Sequence, residues 1–131
     1  MKLVSKIIQI KNVKKGDTIS YDSTYKVKKN MNICIIPIGY ADIIPRASSN
    51  KLYVIINNTL RKVLGRVCMD QIVVESKNID KDGDEVILFD NDKKIRGGKD
   101  LMYTTANESR TIVDEVAVRV GYRVSHKYIN L

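Results

Sequence analysis

The sequence predicts a mainly β domain, a barrel-like fold or β-sandwich of about eight strands with two short helices near the C-terminus. Three observations predict this class. Apolar, often β-branched residues repeat with a period of two through most of the chain. Turn-forming residues such as Asn57-Asn58 separate the apolar runs. The apolar spacing changes to a helical period only after Gly97-Gly98.

The strands follow from the apolar runs in chain order. KLVSKIIQIKNV, residues 2–13, alternates well enough for one long strand, and GDTISYDSTYKV, residues 16–27, predicts a turn between two strands. NICIIPIGY, residues 32–40, predicts a buried strand that Pro37 interrupts. LYVIINNTLRKVLG, residues 52–65, predicts a hairpin that turns at Asn57-Asn58. RVCMDQIVVE, residues 66–75, predicts another strand, and DKDGDEVILFD, residues 80–90, a turn followed by a strand.

Helical spacing appears near the C-terminus. KDLMYTTANES, residues 99–109, predicts a short helix. TIVDEVAVRV, residues 111–120, predicts a second one with Thr111 as its N-cap, because its apolar residues recur at three- and four-residue intervals. Gly121 would end this helix, and YRVSHKYINL, residues 122–131, predicts a last strand.

Composition bounds the class of protein. The 131 residues, 44% of them hydrophobic and 29% charged, fit one globular domain. Lysines interrupt the N-terminal apolar residues, unlike a signal peptide, and no apolar run approaches a membrane span, so we expect a cytoplasmic protein. Cys34 and Cys68 lie in apolar runs and are predicted to be buried, reduced thiols. With His126 as the single histidine, there is no ligand set for a metal such as zinc.

The net charge of +8 is unevenly distributed. Residues 1–66 hold 13 Lys and Arg against 3 Asp and Glu, whereas residues 67–131 hold 10 against 12. This asymmetry suggests an acidic partner surface or a polyanion. Proteins that bind single-stranded nucleic acid also need aromatic stacking platforms, and here aromatic residues are 6% with no Trp. No nucleic-acid partner is expected.

Three stretches hold more polar residues than a strand core needs. They are Ser20-Tyr21-Asp22, GYADIIPR at residues 39–46, and GRVCMDQ at residues 65–71. A polar loop beyond a buried strand is well placed to meet a ligand. Each stretch also has a purely structural explanation: Asp42 caps a turn, Arg46 pairs with it, and Asp70 makes an Asx-turn. The residues alone favour the structural explanation.

Taken in order, these stretches resemble the C-terminal β domain of alanine racemase. The matching segments are SYDSTY (20–25), PIGYADIIPR (37–46), GRVCMDQ (65–71), GDEVILF (83–89) and DEVAVRVGYRV (114–124). The separation of 19 residues between Tyr21 and Tyr40 also fits the family. The resemblance covers residues 1–131 and implies a second part, a (β/α)₈ barrel that holds pyridoxal 5′-phosphate on a lysine. Such a barrel needs about 250 residues, so it is absent here, and we expect an excised domain of a longer enzyme.

The resemblance also implies the roles of individual residues. The family interconverts L- and D-alanine for cell-wall peptide synthesis as head-to-tail homodimers, in which one chain's β domain completes the other chain's active site. Tyr21 matches the catalytic tyrosine, one of two bases that act on opposite faces of the amino-acid substrate; the cofactor lysine is the other. Met69 matches the residue whose backbone N–H holds the substrate carboxylate. Tyr40, Arg46 and Arg66 match residues that line the family's substrate corridor, and Asp114 matches its gate. Cys68 and Asp70 match supporting residues.

Four positions depart from the family pattern. Asp22 and Ile43 replace glycines, Ile44 replaces an aromatic residue, and Asp114 stands where the gate tyrosine is usual. A shorter polar residue at the gate would leave room for the hydroxyl of serine. The racemases fused to membrane domains in vancomycin-resistant bacteria resemble this family and handle serine. A serine or alanine racemase of that kind is therefore a sub-hypothesis, and a membrane enters only through such a fused domain.

Two other hypotheses stay open. A racemase-fold interaction module without catalytic activity is supported by the departures at Asp22, Ile43 and Asp114. A nucleic-acid-binding β domain depends on charge alone. Under the racemase hypothesis the domain by itself is expected to be inactive. Ionising a free phenol at neutral pH costs about three pKa units, or ~4 kcal/mol, and in the family the barrel supplies the groups that offset this cost.

Overall fold

The computed structural model describes residues 2–20, 25–90, 94–95, 99–100 and 121–128. In these ranges the chain is mainly β, as predicted, with a 3-10 turn at Arg46–Ser48. The strands are β1 (Lys2–Lys6), β2 (Gln9–Val13), β3 (Thr18–Ile19), β4 (Tyr25–Lys26), β5 (Met31–Ile36), β6 (Tyr53–Ile56), β7 (Thr59–Lys62), β8 (Ile72–Glu75), β9 (Glu85–Asp90), β10 (Lys94–Ile95) and β11 (Lys99–Asp100).

Two antiparallel sheets contain the longer strands. Their orders are β1-β9-β6-β7 and β2-β5-β8, and two short pairs, β3-β4 and β10-β11, stand beside them. An isolated bridge between Val63 and Val74 connects β7 to β8, and the Leu64 N–H donates to the Val73 carbonyl over 2.8 Å. The described strands therefore form two connected sheets and do not close into a continuous barrel.

The single long strand predicted for residues 2–13 is wrong, because the chain changes sheets in its middle. The Ile7 N–H donates to the Asp84 carbonyl, next to β9, over 3.0 Å. The following N–H, of Ile8, donates to the Ile35 carbonyl on β5 over 3.0 Å. An alternating apolar pattern has the same period in both sheets, so it does not mark the point of transfer.

The predicted hairpin is confirmed as β6 and β7. Asn57 and Asn58 are its two loop residues, with φ angles of 49° and 62°. Positive φ at both central residues is what a type I′ turn requires, and that turn suits the twist of paired strands. The strand that ends before Pro37 and the strand that follows the turn at Gly83 also form as predicted.

Two predicted strands near the site are wrong in extent. Of residues 66–75 only the last four, Ile72–Glu75, form a strand. Residues 65–71 form a loop, in which the Cys68 N–H donates to the Gln71 carbonyl over 3.1 Å. The strand predicted for residues 122–131 is not formed in its described part, 122–128, which begins with a turn instead.

The two predicted helices lie almost wholly outside the described residues. The exceptions are the first two residues of the helix predicted at 99–109, which belong to β11. In the part of the chain that is described, no helix has the length and apolar character of a membrane span.

The main core draws side chains from both sheets. Ile36 on β5 and Ile72 on β8 pack in one cluster with Ile56 on β6 and Phe89 on β9, and each of these four is fully buried. A smaller cluster of Ile19, Val27, Ile33, Leu64 and Val73 lies beneath the β3-β4 pair. The site loops described next extend from this shared core.

Candidate functional site

The described parts of the three polar stretches selected from the sequence come together in the structure. The Tyr40 N–H donates to the Cys68 carbonyl over 3.0 Å, and the Ala41 N–H donates to the Met69 carbonyl over 2.9 Å. The Ser20 hydroxyl donates to the Arg66 carbonyl over 2.7 Å. The 39–42 turn and residue 20 therefore both contact the 65–71 loop, although the sequence separates them.

A glycine allows the closest of these approaches. A Cβ atom at Gly39 would lie 2.1 Å from the Cys68 carbonyl oxygen and 2.6 Å from the Met69 carbonyl carbon. Backbone atoms cannot move away as the end of a flexible side chain can, so only glycine fits this position. The 39–42 turn thus lies directly against the backbone of Cys68 and Met69.

Ser20 enters the site in an unusual backbone conformation. Its φ is 68°, in the left-handed region, and Gly65 opposite it has a φ of 80°. A Cβ at Gly65 would lie 2.8 Å from both the Ile19 carbonyl oxygen and the Ser20 Cβ. Non-glycine residues with positive φ are uncommon and cluster at functional sites. This half-buried serine orients the chain immediately before Tyr21, which itself lies outside the described residues.

An open cleft of about 430 Å³ lies at this meeting point, lined by Ser20, Cys68, Asp70 and Gln71. Its described lining offers a hydroxyl, a thiol, a carboxylate and an amide, which suit a small polar ligand. Cys68 and Asp70 were selected from the sequence as supporting residues. Ser20 and Gln71 were not selected individually; the only signal was that each lies inside a selected stretch.

The Met69 N–H is held in one direction by its own peptide unit. The Cys68 carbonyl of that unit accepts the Tyr40 N–H. No described peptide bond is cis, and in a planar trans unit the N–H points opposite to the carbonyl. Among the described residues the Met69 N–H has no hydrogen-bond acceptor. It is therefore an oriented donor, while the Met69 side chain is 55% exposed.

Asp42 caps the 39–42 turn as the structural explanation predicted, but its cationic partner is different. Its Oδ2 accepts the Gly39 N–H over 2.9 Å. The expected partner was Arg46; instead Arg123 donates from Nε to Oδ1 at 2.7 Å and from Nη2 to Oδ2 at 2.6 Å. The hydrogen bonds from Arg123, helped by the Gly39 N–H, hold the pKa of the Asp42 carboxyl below its usual range although burial opposes this. Asp42 is thus an ionised carboxylate in the interior.

The two arginines that the family resemblance assigned to the substrate corridor lie on neighbouring segments. Arg46 is exposed at the 3-10 turn, and Arg66 is half-buried in the 65–71 loop. The segments are joined because the Val67 N–H donates to the Ser49 hydroxyl over 2.9 Å and the Gly65 N–H to Asn50 Oδ1 over 2.7 Å.

Tyr40 and Asp70 point to the surface around the cleft. Tyr40 is 47% exposed, and Asp70 is exposed as well. The Asx-turn expected for Asp70 is not present, since its carboxylate accepts no hydrogen bond from any described residue. Asp114, the expected gate residue, lies outside the described residues.

Both cysteines are free thiols, and their burial differs. Cys34 is fully buried, and burial raises the pKa of its thiol. Cys68 is only half-buried, with its Sγ 3.5 Å from the Ser20 hydroxyl. The prediction of a buried thiol is therefore confirmed for Cys34 and only partly for Cys68, which lines the cleft.

Comparison with known proteins gives the family. Residues 1–128 match the family described as alanine racemase, C-terminal domain. An alanine racemase of Staphylococcus epidermidis is 37% identical over 126 residues, which are 96% of this chain and 32% of that protein.

Solved structures agree with this match. The alanine racemase of Streptomyces coelicolor superposes with a TM-score of 0.88 at 32% identity, over 99% of this chain and 33% of that one. The alanine racemase of Bartonella henselae, solved with covalently bound pyridoxal phosphate, gives a TM-score of 0.83 at 27% identity, over 98% of this chain and 34% of that one. The chain spans about a third of the length of these relatives. It belongs to the alanine racemase C-terminal domain family.

Proposed function

We propose that this domain completes the active site of a pyridoxal-phosphate-dependent racemase that interconverts L- and D-alanine. The observation that carries the proposal is that Ser20, the residue before Tyr21, and the 65–71 loop line one cleft, while the 39–42 turn is bonded to the backbone of that loop. Family membership supplies the reaction class. The chain spans about a third of the length of its relatives, and in this proposal the remaining parts of the site lie in a barrel domain outside residues 1–131.

Tyr21 is the proton-transfer group in this proposal. Its phenolate would take the proton from the Cα of the L enantiomer, and its phenol would return a proton to the same face when the D enantiomer reacts. The anchoring of Ser20 on the Arg66 carbonyl at 2.7 Å supports this role, because it fixes the backbone from which Tyr21 extends. Removing the tyrosine hydroxyl should therefore slow the chemical step strongly without abolishing substrate binding.

The substrate carboxylate would be bound by the oriented Met69 N–H. Two nearby arginines, Arg46 and Arg66, add positive charge that attracts a carboxylate towards the cleft. Tyr40 provides an exposed phenol on the adjoining 39–42 turn, and Asp114 would form the gate. Cys68 and Asp70 complete the lining of the cleft.

The described residues do not by themselves fit the cofactor. A cofactor held on a lysine needs an amine at the site, and no lysine is among the described residues that line the cleft. Every lysine whose burial is described is exposed. Pyridoxal phosphate would therefore be held by the barrel, and in a head-to-tail homodimer that barrel belongs to the partner chain. The free thiols are consistent with a cytoplasmic enzyme, which would supply D-alanine for cell-wall peptide synthesis.

The experiment is a racemisation assay of Tyr21→Phe in the polypeptide that joins this domain to its cofactor-binding barrel. We expect the variant to lose about 10²–10⁴-fold in kcat on L-alanine, the usual contribution of a positioned acid or base. Cofactor absorbance should be unchanged. Tyr25→Phe is the matched control, because Tyr25 packs against the smaller core cluster and should keep full activity.

The same assay decides between the alternatives. Serine is tested beside alanine, because Asp114 at the gate would leave room for the serine hydroxyl. Turnover of serine would support the hypothesis that the enzyme resembles the membrane-fused serine racemases. If the unsubstituted polypeptide binds pyridoxal phosphate and racemises neither amino acid, the domain is an interaction module and the proposal is wrong. Racemisation by residues 1–131 alone would also contradict it, because this domain is expected to be inactive without the barrel.

A further inference from the structure

We propose that Asp42 and Arg123 are positioning residues that fix the direction of the Met69 N–H, the donor assigned to the substrate carboxylate. The assignment to substrate depends on the proposed function; the mechanical linkage does not. The ion pair ties the 121–128 segment to the 39–42 turn, and that turn holds the backbone of Cys68 and Met69. A residue near the C-terminus thereby controls the geometry of the cleft.

The first link is the ion pair itself. The Arg123 guanidinium donates two parallel hydrogen bonds, at 2.7 Å and 2.6 Å, to the two oxygens of Asp42. Bidentate pairs of this kind are strong and define an orientation, unlike a single point contact. The Asp42 side chain is 2% exposed, whereas the Arg123 side chain is 46% exposed. The buried carboxylate therefore depends on a cation that reaches it from the surface.

The second link passes from Asp42 into the turn. The same Oδ2 that accepts from Arg123 also accepts the Gly39 N–H over 2.9 Å. The Gly121 N–H donates to the Asp42 carbonyl. A Cβ at Gly121 would lie 2.3 Å from the Ala41 carbonyl oxygen, so the two segments are in direct backbone contact.

The third link passes from the turn to the cleft. Two consecutive N–H groups, of Tyr40 and Ala41, donate to the two consecutive carbonyls of Cys68 and Met69, at 3.0 Å and 2.9 Å. These bonds fix two successive peptide planes, and planarity then sets the direction of the Met69 N–H. If Arg123 is removed, the Asp42 carboxylate keeps only its bond to the Gly39 N–H among the described side-chain contacts. A buried charge with so few partners is unfavourable, so the turn should rearrange.

The test measures amide hydrogen exchange by NMR on the 131-residue chain carrying Arg123→Met. We expect the Tyr40 and Ala41 amides to exchange at least about ten-fold faster, because their bonds to the loop open more often. The Leu64 amide, bonded to the Val73 carbonyl at 2.8 Å, should not change. Lys127→Met is the matched control, since Lys127 is an exposed cation in the same segment.

The second measurement is kinetic and uses the same substitution in the racemase with its barrel. A misdirected Met69 N–H weakens substrate binding in ground state and transition state alike, so KM for alanine should rise about ten-fold while kcat changes less than two-fold. Unchanged exchange at Tyr40 and Ala41 would overturn the proposal, and so would faster exchange with an unchanged KM. Absence of racemase activity in the unsubstituted enzyme would instead count against the proposed function, and the exchange result would still decide the linkage.

Discussion

Arg61 and Asp80 form an ion pair whose two side chains are both completely buried. Arg61 also donates from Nε to the Thr59 hydroxyl at 2.8 Å. Asp80 accepts the Lys77 N–H at 2.7 Å and the Asn57 amide at 3.0 Å. A buried pair is tolerated only when hydrogen bonds satisfy the remaining donors and acceptors. Replacing only one residue of this pair should therefore lower the unfolding free energy more than replacing an exposed charged residue.

This pair predicts how stability depends on pH. Burial alone would raise the pKa of Asp80, but hydrogen bonds from Arg61, the Lys77 N–H and Asn57 hold it well below its usual range. The folded state thus binds this proton more weakly than the unfolded state. The stability that it contributes is present above about pH 4 and is lost as the pH falls further towards the folded-state pKa.

We expect Asp80→Asn to remove that part of the acid sensitivity. The variant should lose about 3 kcal/mol of unfolding free energy at pH 7, because Arg61 keeps its charge without a carboxylate. Between about pH 4 and pH 2 its stability should then fall less steeply than that of the unsubstituted chain. Urea denaturation at pH 7 measures the first effect, and urea denaturation between about pH 4 and pH 2 measures the second. The exposed Asp82→Asn is the control, and equal slopes for Asp80→Asn and the unsubstituted chain would contradict the prediction.

For individual side chains, the sequence predicted contacts between residues that are close together in the chain. The capping role of Asp42 was predictable because its partner Gly39 is three residues away. Its pairing with Arg123 was not, because 81 residues separate them and Arg46 was a nearer cation. A charged side chain pairs with whichever opposite charge the fold brings near, and sequence distance carries little information about that.

Among the elements, the β6-β7 hairpin shows how a two-residue loop is built. Both loop residues have positive φ, yet of the two only the Asn57 side chain forms hydrogen bonds with residues that the structure describes. Its amide donates to Asp80 at 3.0 Å and to Asp84 at 3.1 Å. The Asn57 side chain therefore also stabilises the turn that precedes β9. Asn57 has both a conformational and a hydrogen-bonding role, whereas Asn58 has the conformational role.

Replacing each asparagine by glycine should separate the effect of positive φ from the effect of the Asn57 hydrogen bonds. Glycine adopts positive φ without the Cβ clash, so Asn58→Gly should leave the unfolding free energy unchanged or raise it by about 0.5 kcal/mol. Asn57→Gly gains the same relief but loses two hydrogen bonds, and should be about 1–2 kcal/mol less stable than Asn58→Gly. Thermal and urea unfolding of the pair measures the difference. Equal stabilities would show that the Asn57 contacts contribute nothing.

The errors in element boundaries have one physical cause. The pattern of residues 2–13 fits a single strand, but its two halves pair with β9 and β5 in different sheets. Residues 66–71 were predicted as the first part of a strand that continues into the apolar run at 72–74, yet they form a loop in which the Cys68 and Met69 carbonyls accept from the 39–42 turn. Periodicity reports which side chains are buried and not which backbone partner is available.

For the molecule as a whole, the shared core makes the two sheets one unit. Phe89 of the first sheet and Ile36 of the second are completely buried in the same cluster. In the described ranges the direct backbone links between β7 and β8 are few: the isolated bridge from Val63 to Val74 and the neighbouring bond from the Leu64 N–H to the Val73 carbonyl. Side-chain packing across the core, rather than hydrogen bonding, must therefore couple them.

Phe89→Ala should consequently destabilise both sheets together. We expect a loss of about 3–5 kcal/mol, the usual cost of deleting a buried aromatic side chain. Unfolding should remain one transition, with the same midpoint by circular dichroism and tyrosine fluorescence. Val4→Ala on β1 is the control, because Val4 is 44% exposed and should cost less than about 0.5 kcal/mol. Two separate transitions would show that the sheets fold independently.

Sequence alone was enough to predict the β class, the Asn57-Asn58 hairpin, the family and the stretches that form the candidate site. These features depend on short-range patterns: the apolar period, turn residues with positive φ, and motifs such as GYAD and GRVCMDQ. Tertiary structure alone decided where the long strand changes sheets, that Arg123 and not Arg46 pairs with Asp42, and how the Met69 N–H is oriented. Each of these depends on contacts between residues far apart in the chain, which only the packing of the two sheets around a common core brings within hydrogen-bonding distance.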